Sequence, residues 1–287
     1  MTHPAVNIVK CLERDLSEVE RIEIELLLEG IYRHYGFDFR DYSMSTLRRR
    51  IWHRVRAEGL STVSGLQEKV LHDPRVMDRL FADFTIHVTE MFRDPTFFLA
   101  FREQAVPLLR ELPFIRIWHA GCSTGEEVYS MAILLHEEGL LKKTRIYATD
   151  LNDAVLRHAK KGKFSLDKMK LYTANYFRSG GKNAFSEYYS AHREYAQFHS
   201  FLTEPAVFAQ HNLATDHSFN EFQVIICRNV LIYFNSGLQS RVHRLFYDSL
   251  SMGGLLGLGG RETISLTEYA GCYDSISEAK RLYRKIR

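Results

Sequence analysis

The residues best suited to chemistry follow an apolar strand pattern in the segment IRIWHAGCSTGEEVYSMAILL, residues 115–135. Gly121 and Gly125 stand in the turn between this pattern and a stretch with helical periodicity. Glycine lets the backbone turn tightly and approach a ligand, and the N–H groups at a helix start attract a carboxylate. The turn therefore indicates a ligand site, although a purely structural tight turn would need the same glycines.

A second candidate is Asp150, which ends the next apolar run, RIYATD, 25 positions after Gly125. An acidic residue about 20 positions beyond such a turn can accept hydrogen bonds from ribose hydroxyls. The two features together predict adenosine binding. The alternative is that Asp150 only caps the helix expected after Leu151.

Two further apolar runs end in polar residues that a core strand would not need, His211-Asn212-Leu213 and Cys227-Arg228-Asn229. Polar groups at these positions can bind the adenine edge and the amino-acid end of a cofactor. From residue 115 onward, short apolar runs alternate with helical stretches, which is typical of βαβ units. We therefore expect a parallel sheet with its ligand site at the strand ends.

The chain before about residue 110 carries only helical signals, beginning with the apolar residues Leu16, Val19, Ile22, Leu26, Leu27 and Ile31. Asp94-Pro95 predicts a helix start with Asp94 as N-cap. This helix is expected to connect the helical part to the sheet. Residues 162–205, with a turn at Gly180-Gly181, are too many for a simple connection and predict a separate subdomain.

The segment SMSTLRRRIWHRVRAEGL, residues 43–60, predicts an amphipathic helix. Leu47, Ile51 and Val55 recur every four residues, and the remaining faces carry Arg49, Arg50, His53, Arg54 and Arg56. This is either a solvated face or a docking surface for an acidic protein or a nucleic acid. The overall formal charge of +3 and the lack of an RNA-binding motif favour an acidic protein over nucleic acid.

Composition and motifs exclude several other classes of protein. The N-terminus lacks the features of a signal peptide and no apolar run approaches about 20 residues, so a cytoplasmic protein with no membrane insertion is expected. The four cysteines form no CxxC pair, and the 13 histidines show no HExxH spacing. We therefore expect no metal.

The ordered series HVTEMFRDPTFF, AGCSTGEEVYSMA, ATDLN, HNL, ICRNVLIYF and LLGLGGRE resembles the bacterial chemotaxis receptor methyltransferases, the CheR family. The resemblance implies an α/β fold: a small all-helical N-terminal domain, then a class I (Rossmann-like) S-adenosylmethionine-dependent methyltransferase domain with an inserted small β-subdomain. The corresponding boundaries are residues 1–95 for the helical domain, 96–112 for a connector helix, 113–287 for the methyltransferase domain and about 162–205 for the insertion.

The resemblance also implies roles for particular residues. It assigns catalytic roles to Arg93 and to Tyr233, and it places Tyr233 beside the reacting methyl group. The implied cofactor contacts are His87, Thr89, Arg93, Gly121, Glu126, Asp150, Asn212, Leu213, Cys227 and Arg228.

This sequence departs from the family pattern at three places. His87 stands where Asn is usual, Val128 where Pro is usual, and Gly260-Arg261 where His-Ser is usual before Glu262. His87 can still form hydrogen bonds and Val128 is compatible with a helix. The third departure bears on which substrate is served more than on the chemistry.

The implied reaction is methyl transfer from S-adenosylmethionine to glutamate carboxylates of a chemoreceptor coiled coil, leaving S-adenosylhomocysteine. Family members use the basic helix against such coiled coils, and we expect a monomer that binds no nucleic acid. One alternative is a methyltransferase of the same fold that acts on another protein or on a small-molecule carboxylate. Another is a regulator that binds adenosine without turnover, which the presence of Arg93, Asp150, Arg228 and Tyr233 disfavours.

Overall fold

The computed structural model describes residues 4–85, 89–265 and 267–287, with side chains from residue 18 onward except that of Glu278. The chain forms two compact units. The first comprises Met1–Ile86 and Tyr233–Leu238, and the second comprises His87–Ile232 and Gln239–Arg287. No helix in the described ranges combines the length and apolar character that crossing a membrane requires.

The first unit is helical. Its helices are α1 (Pro4–Tyr35), α2 (Met44–Ala57), α3 (Val63–His72) and α4 (Pro74–Phe84). Thr62 caps α3 by accepting a hydrogen bond from the backbone N–H of Gly65, and Asp73 caps α4 in the same way with Arg75. The buried faces of the helices meet around Phe39, Ile51, Leu66 and Leu80.

The apolar spacing correctly predicted helix α1, but only some of the apolar residues in that pattern are buried. Ile24, Leu27, Leu28 and Ile31 are buried, whereas Val19, Ile22 and Leu26 are about half exposed, at 53%, 45% and 53%. Apolar residues occur on more than one side of α1, and packing against α3 selects one side. Periodicity within a single helix cannot reveal that choice.

The second unit is built on a seven-stranded sheet with the order β6-β2-β1-β7-β8-β10-β9. Its strands are β1 (Ile115–Ala120), β2 (Thr144–Asp150), β6 (Ala206–Gln210), β7 (Phe222–Cys227), β8 (Leu250–Leu258), β9 (Tyr273–Ser277) and β10 (Leu282–Lys285). The strands from β6 to β8 pair in parallel, and β10 pairs antiparallel with β8 and β9. This is the class I methyltransferase arrangement, and it confirms the predicted fold.

Helices cover this sheet. They are α7 (Glu126–Glu137), α8 (Asp153–Lys161) and α10 (Ser236–Ser249), the last of which begins in the first unit. A further helical stretch runs through α5 (Pro95–Ala100), a π-helical turn (Phe101–Ala105) and α6 (Val106–Arg110), and it belongs to the second unit. Asp94 occupies the N-cap position of α5 and Pro95 its first helical position, as predicted, but the Asp94 side chain forms no capping hydrogen bond and pairs with Arg228.

The segment between α8 and β6 contains a small antiparallel sheet of its own, with the order β3-β5-β4. Its strands are β3 (Lys163–Ser165), β4 (Tyr189–Ala191) and β5 (Tyr195–Phe198), and helix α9 (Met169–Arg178) lies between β3 and β4. Buried aromatic side chains, including Tyr172, Tyr176 and Tyr188, continue the core of the second unit into this segment.

Candidate functional site

Four predicted cofactor positions lie at one edge of the large sheet. Gly121 follows β1, Asp150 ends β2, Asn212 lies just beyond β6, and Arg228 follows β7. These strands run in parallel, so their carboxyl ends share an edge. The chain moves outward in one direction from β1 to β2 and β6, and in the other through β7 and β8. Such a reversal of strand order is where open α/β sheets bind ligands.

The turn after β1 depends on its glycines. Gly121 and Gly125 have φ angles of +78° and +95°, a backbone conformation that residues with a side chain rarely adopt. A Cβ on Gly121 would lie 2.5 Å from a methyl group of Val230. The N–H groups of Gly121 and Cys122 each donate to the carbonyl of Thr149 at 2.8 Å. The turn is thus held between the ends of β2 and β7 with no room for a side chain.

Asp150 links two of these loops. One carboxylate oxygen accepts from the N–H of Ser123 at 2.9 Å and the other from the N–H of Asn152 at 3.0 Å. The cap of α8 is Asn152, whose side-chain oxygen accepts from Ala154 at 2.9 Å. Because Asn152 serves as the cap, helix capping does not account for the carboxylate at position 150.

Glu126 opens α7 and is only 2% exposed. Its carboxylate accepts from the hydroxyl of Thr124 at 2.6 Å and from the hydroxyl of Tyr172 at 3.4 Å. Burial raises the pKa of Glu126 above its usual value. Both donors are neutral, so a cationic ligand group beside Glu126 would relieve the cost of burying its charge.

The neighbouring residue, Glu127, belongs to a buried ionic network. Burial acts to raise its pKa, but the hydrogen bond from His119 at 3.2 Å and the charge of Arg228 outweigh burial and lower it. Arg228 also donates to Asp94 at 2.7 Å and to the carbonyl of Arg93 at 3.2 Å. The guanidinium of Arg228, 2% exposed, therefore organises the segment that carries Arg93.

The segment Thr89–Arg93 lies in the second unit, with Thr89 and Arg93 partly exposed. Phe92 has a left-handed backbone with φ of +50°, and its N–H donates to the hydroxyl of Ser130 at 2.8 Å. The carbonyl of Met91 accepts from the side chain of Asn175 at 3.1 Å. His87, also predicted to contact the cofactor, lies outside the described residues.

The remaining predicted contacts differ in accessibility. Asn212 and Leu213 are partly exposed, and the side-chain oxygen of Asn212 accepts from the N–H of Ala214 at 2.9 Å. Cys227 is fully buried, and burial raises the pKa of its thiol. Any contact of Cys227 with a ligand would therefore involve its backbone.

Glu262 was not among the predicted site residues. Its carboxylate, 4% exposed, accepts from four backbone N–H groups at 2.6–3.0 Å, those of Gly259, Asn229, Val230 and Leu231. It thereby fixes the loop after β7, whose Val230 packs on Gly121. The available signal was a glutamate four residues after the end of β8, behind the glycines of LLGLGGRE, but sequence alone does not reveal its backbone partners.

The structure divides the predicted docking residues of α2 into two groups. Arg49, His53 and Arg56 are exposed, and Arg56 lies over the ring of Trp52. A surface cavity of about 450 Å³ is lined by Ser45, Arg48, Arg49, Trp52 and Arg56.

The other two basic residues correct the prediction of a uniformly exposed charged face. Arg50 is 5% exposed, donates to the carbonyl of Phe84 and lies 4.8 Å from the ring centre of Tyr233. Arg54 is paired with Asp83 at 2.8 Å and with Glu58 at 3.3 Å. Arg50 therefore belongs to the buried face of α2, and Arg54 lies partly buried beside it.

Among the residues whose side chains the structure describes, no cluster of three or more His, Cys, Asp or Glu could hold a metal ion.

The chain matches two sequence models of one known family. The sequence model described as "CheR methyltransferase, SAM binding domain" matches residues 87–277, and "CheR methyltransferase, all-alpha domain" matches residues 22–85. The chain belongs to the CheR methyltransferase family.

Other proteins of this family resemble it along most of their length. A protein of Pseudomonas putida named Cher3 is 51% identical over 264 residues, which cover 92% of this chain and 97% of the relative. The chemotaxis protein methyltransferase of Listeria innocua is 30% identical and covers 82% of this chain and 87% of its own. That of Salmonella typhimurium is 28% identical, with 82% and 81% covered.

The cofactor of this CheR-family chain is S-adenosylmethionine, and the residues at the sheet edge fit it. The buried carboxylate of Glu126 suits a cationic group. In the turn after β1, Gly121 and Gly125 carry no side chain that would keep a ligand away from the backbone. Asp150 presents a carboxylate at the end of β2, where ribose hydroxyls are bound in such sheets. The individual contacts of these residues stay predictions.

Proposed function

We propose that this enzyme methylates glutamate side chains in the glutamate-rich coiled coil of a chemoreceptor-like protein. The observation that carries the proposal is the group of exposed basic residues on α2, Arg49, His53 and Arg56, of which Arg49 and Arg56 line the surface cavity. Such a surface favours an acidic macromolecule over a small uncharged substrate. The names of the chemotaxis relatives agree with this partner.

When bound, S-adenosylmethionine supplies a methyl group on a positively charged sulfur. In the proposed reaction a glutamate oxygen forms a bond to this methyl carbon while the carbon–sulfur bond breaks, giving a methyl ester and S-adenosylhomocysteine. The carboxylate is ionised at neutral pH, so no general base is needed. Alignment and exclusion of water can supply up to about 7–11 kcal/mol of the acceleration.

The chain's residues take correspondingly modest chemical roles. We assign Asp150 to the ribose hydroxyls because of its position at the end of β2, and Glu126 to the cationic part of the cofactor because its carboxylate is buried. Arg93 and Tyr233 are assigned to positioning and electrostatics and not to proton abstraction. Arg228 holds the backbone at Arg93, and Glu262 holds the backbone of the loop after β7.

The proposal is tested by incubating the purified protein with S-adenosylmethionine labelled in the methyl group and receptor-enriched membranes. We expect label in a membrane protein, released as methanol by mild base because methyl esters hydrolyse. Replacing candidate glutamates of that receptor by alanine should abolish the signal. Label that resists base, or that appears only in small molecules, would overturn the glutamate assignment.

A further inference from the structure

Helix α9, in the segment between α8 and β6, is bonded to α7 at both ends of α7. Near the C-terminus of α7, the hydroxyl of Tyr176 in α9 donates to Glu137. The hydroxyl of Tyr188, which follows α9 in the chain, donates to the same carboxylate at 2.9 Å. At the N-terminus, the hydroxyl of Tyr172 donates to Glu126 at 3.4 Å. Only the second contact involves a predicted cofactor residue.

The same face of α9 reaches the segment 89–93. Asn175 lies three positions after Tyr172, a spacing that places both side chains on one side of a helix. Its side-chain nitrogen donates to the carbonyl of Met91 at 3.1 Å, and Asn175 is only 4% exposed. Met91 lies between Thr89 and Arg93, both of which are predicted to contact the cofactor.

We propose that Tyr172 and Asn175 are positioning residues of the cofactor site, so that α9 supplies part of its support. The inference rests on the proposed assignment of Glu126 and of segment 89–93 to cofactor binding. Tyr172 holds the Glu126 carboxylate in the orientation that faces the ligand. Asn175 holds the Met91 carbonyl and thereby the backbone that carries Thr89 and Arg93.

The environment of Tyr172 suits this role. The side chain is fully buried, and burial raises its pKa, so the hydroxyl keeps its proton and remains a donor. Thr124 donates to the other oxygen of Glu126. The two hydroxyls together restrict the rotation of the carboxylate, which lowers the entropic cost of binding a ligand in a single geometry.

A pair of matched variants tests the inference. Tyr172→Phe removes the hydroxyl bonded to Glu126, and Tyr188→Phe removes a hydroxyl of the same kind bonded to Glu137. We expect similar falls in melting temperature for both. Calorimetry should show an affinity for S-adenosylhomocysteine about fivefold weaker in Tyr172→Phe alone, the typical value of one hydrogen bond. KM for S-adenosylmethionine should rise by a similar factor with little change in kcat.

A double-mutant cycle identifies the route of the effect. If Tyr172 acts through Glu126, then adding Tyr172→Phe to Glu126→Gln should cost much less affinity than it costs in the wild type. A full additional loss in the double variant would overturn the positioning role. Asn175→Ala provides a second measurement and should also raise KM, with its fold checked by circular dichroism.

The control for the underlying site is Asp150→Ala. If it weakens binding while Tyr172→Phe and Tyr188→Phe behave alike, the inference is wrong and the proposed site stands. If Asp150→Ala and Glu126→Gln both leave affinity unchanged, the site assignment fails and the inference fails with it.

Discussion

Glu126 and Glu127 are adjacent at the start of α7, yet their environments move their pKa values in opposite directions. Burial dominates for Glu126, whose two donors are hydroxyls. For Glu127, burial is outweighed by His119 and Arg228. The charge of Glu127 is therefore already compensated within the protein, whereas the carboxylate of Glu126 is suited to a cationic ligand.

Asp150→Asn is expected to weaken S-adenosylhomocysteine binding at least tenfold. A hydrogen bond to a charged group contributes about 1.5–3 kcal/mol, and the amide also presents a donor to the N–H of Ser123 or Asn152. Titration calorimetry measures the loss. Asp153→Asn, on the exposed side of α8, is the control. An affinity within twofold of wild type would remove Asp150 from the site.

Glu262→Gln is expected to lower the free energy of unfolding by at least about 2 kcal/mol, because one oxygen that accepts two backbone N–H groups becomes a donor. Denaturant titration measures this, and the exposed Glu268→Gln should have little effect. Affinity for the cofactor product should also fall, since Val230 would no longer be held on Gly121. A variant as stable as wild type would show that the four backbone bonds contribute little.

The position of the polar residues at strand ends was predictable from the sequence, because each follows an apolar run of strand length. Their internal partners were not. Arg228 was predicted as a cofactor contact, whereas its guanidinium binds Asp94, Glu127 and the Arg93 carbonyl. These partners lie about a hundred residues or more away in sequence, so no local pattern indicates them.

At the scale of elements, α2 shows what periodicity resolves. The spacing of Leu47, Ile51 and Val55 correctly predicted a helix with one buried stripe. It could not predict that Arg50 and Arg54 lie at the margins of that stripe and are paired with α4 and neighbouring residues. The choice of mutations that test docking depends on this distinction.

Charge reversal at the exposed positions, Arg49→Glu with Arg56→Glu, should suppress methylation of the protein substrate and spare affinity for S-adenosylhomocysteine. Exposed charges guide and dock an acidic partner. Raising the salt concentration should slow the wild-type reaction, because such attraction is screened beyond about 8–10 Å at ordinary ionic strength. Methyl incorporation that ignores both changes would refute the docking role.

Arg50→Glu is the contrasting case. It would bury a carboxylate against the Phe84 carbonyl, so we expect a loss of stability. A fall in methylation by this variant would then report unfolding as well as impaired docking. Thermal unfolding distinguishes the two variants: the double reversal at Arg49 and Arg56 should melt close to wild type, and Arg50→Glu well below it.

At the scale of the whole molecule, the helical beginning and the parallel sheet were both predictable because their periodicities are strong. The antiparallel strands β9 and β10 were not anticipated. Their residues, YDSIS and LYRK, are short and mixed in polarity. β10 joins the sheet by antiparallel pairing with β8, and β9 pairs with β10, and sequence periodicity does not encode such pairing.

The product S-adenosylhomocysteine should raise the melting temperature, since a ligand that binds only the folded protein stabilises it by mass action. At a hundred times Kd the gain is about 2.7 kcal/mol. A chelator should leave the shift unchanged. Differential scanning fluorimetry suffices, and no shift at millimolar ligand would contradict binding.

Stability should also depend on His243 in α10. Burial lowers the pKa of His243 to about 4 from 6.5, so between these pH values the unfolded protein binds the proton and the folded protein does not. The titration of His243 therefore leaves the free energy of unfolding unchanged above pH 6.5. As the pH falls towards 4, it lowers that free energy by up to about 3 kcal/mol. In urea titrations His243→Leu should reduce this loss, and the exposed His72→Leu should not.

The bonds that α9 makes to both ends of α7 also limit how relatives can be recombined. A chimera that exchanges only residues 189–198 leaves Tyr172, Asn175 and Tyr176 in place, and we expect it to retain cofactor binding. One that exchanges residues 163–205 imports a foreign α9, whose side chains must match Glu126, Glu137 and the Met91 carbonyl. In such chimeras the first crossover point should therefore follow α9, at the start of β4.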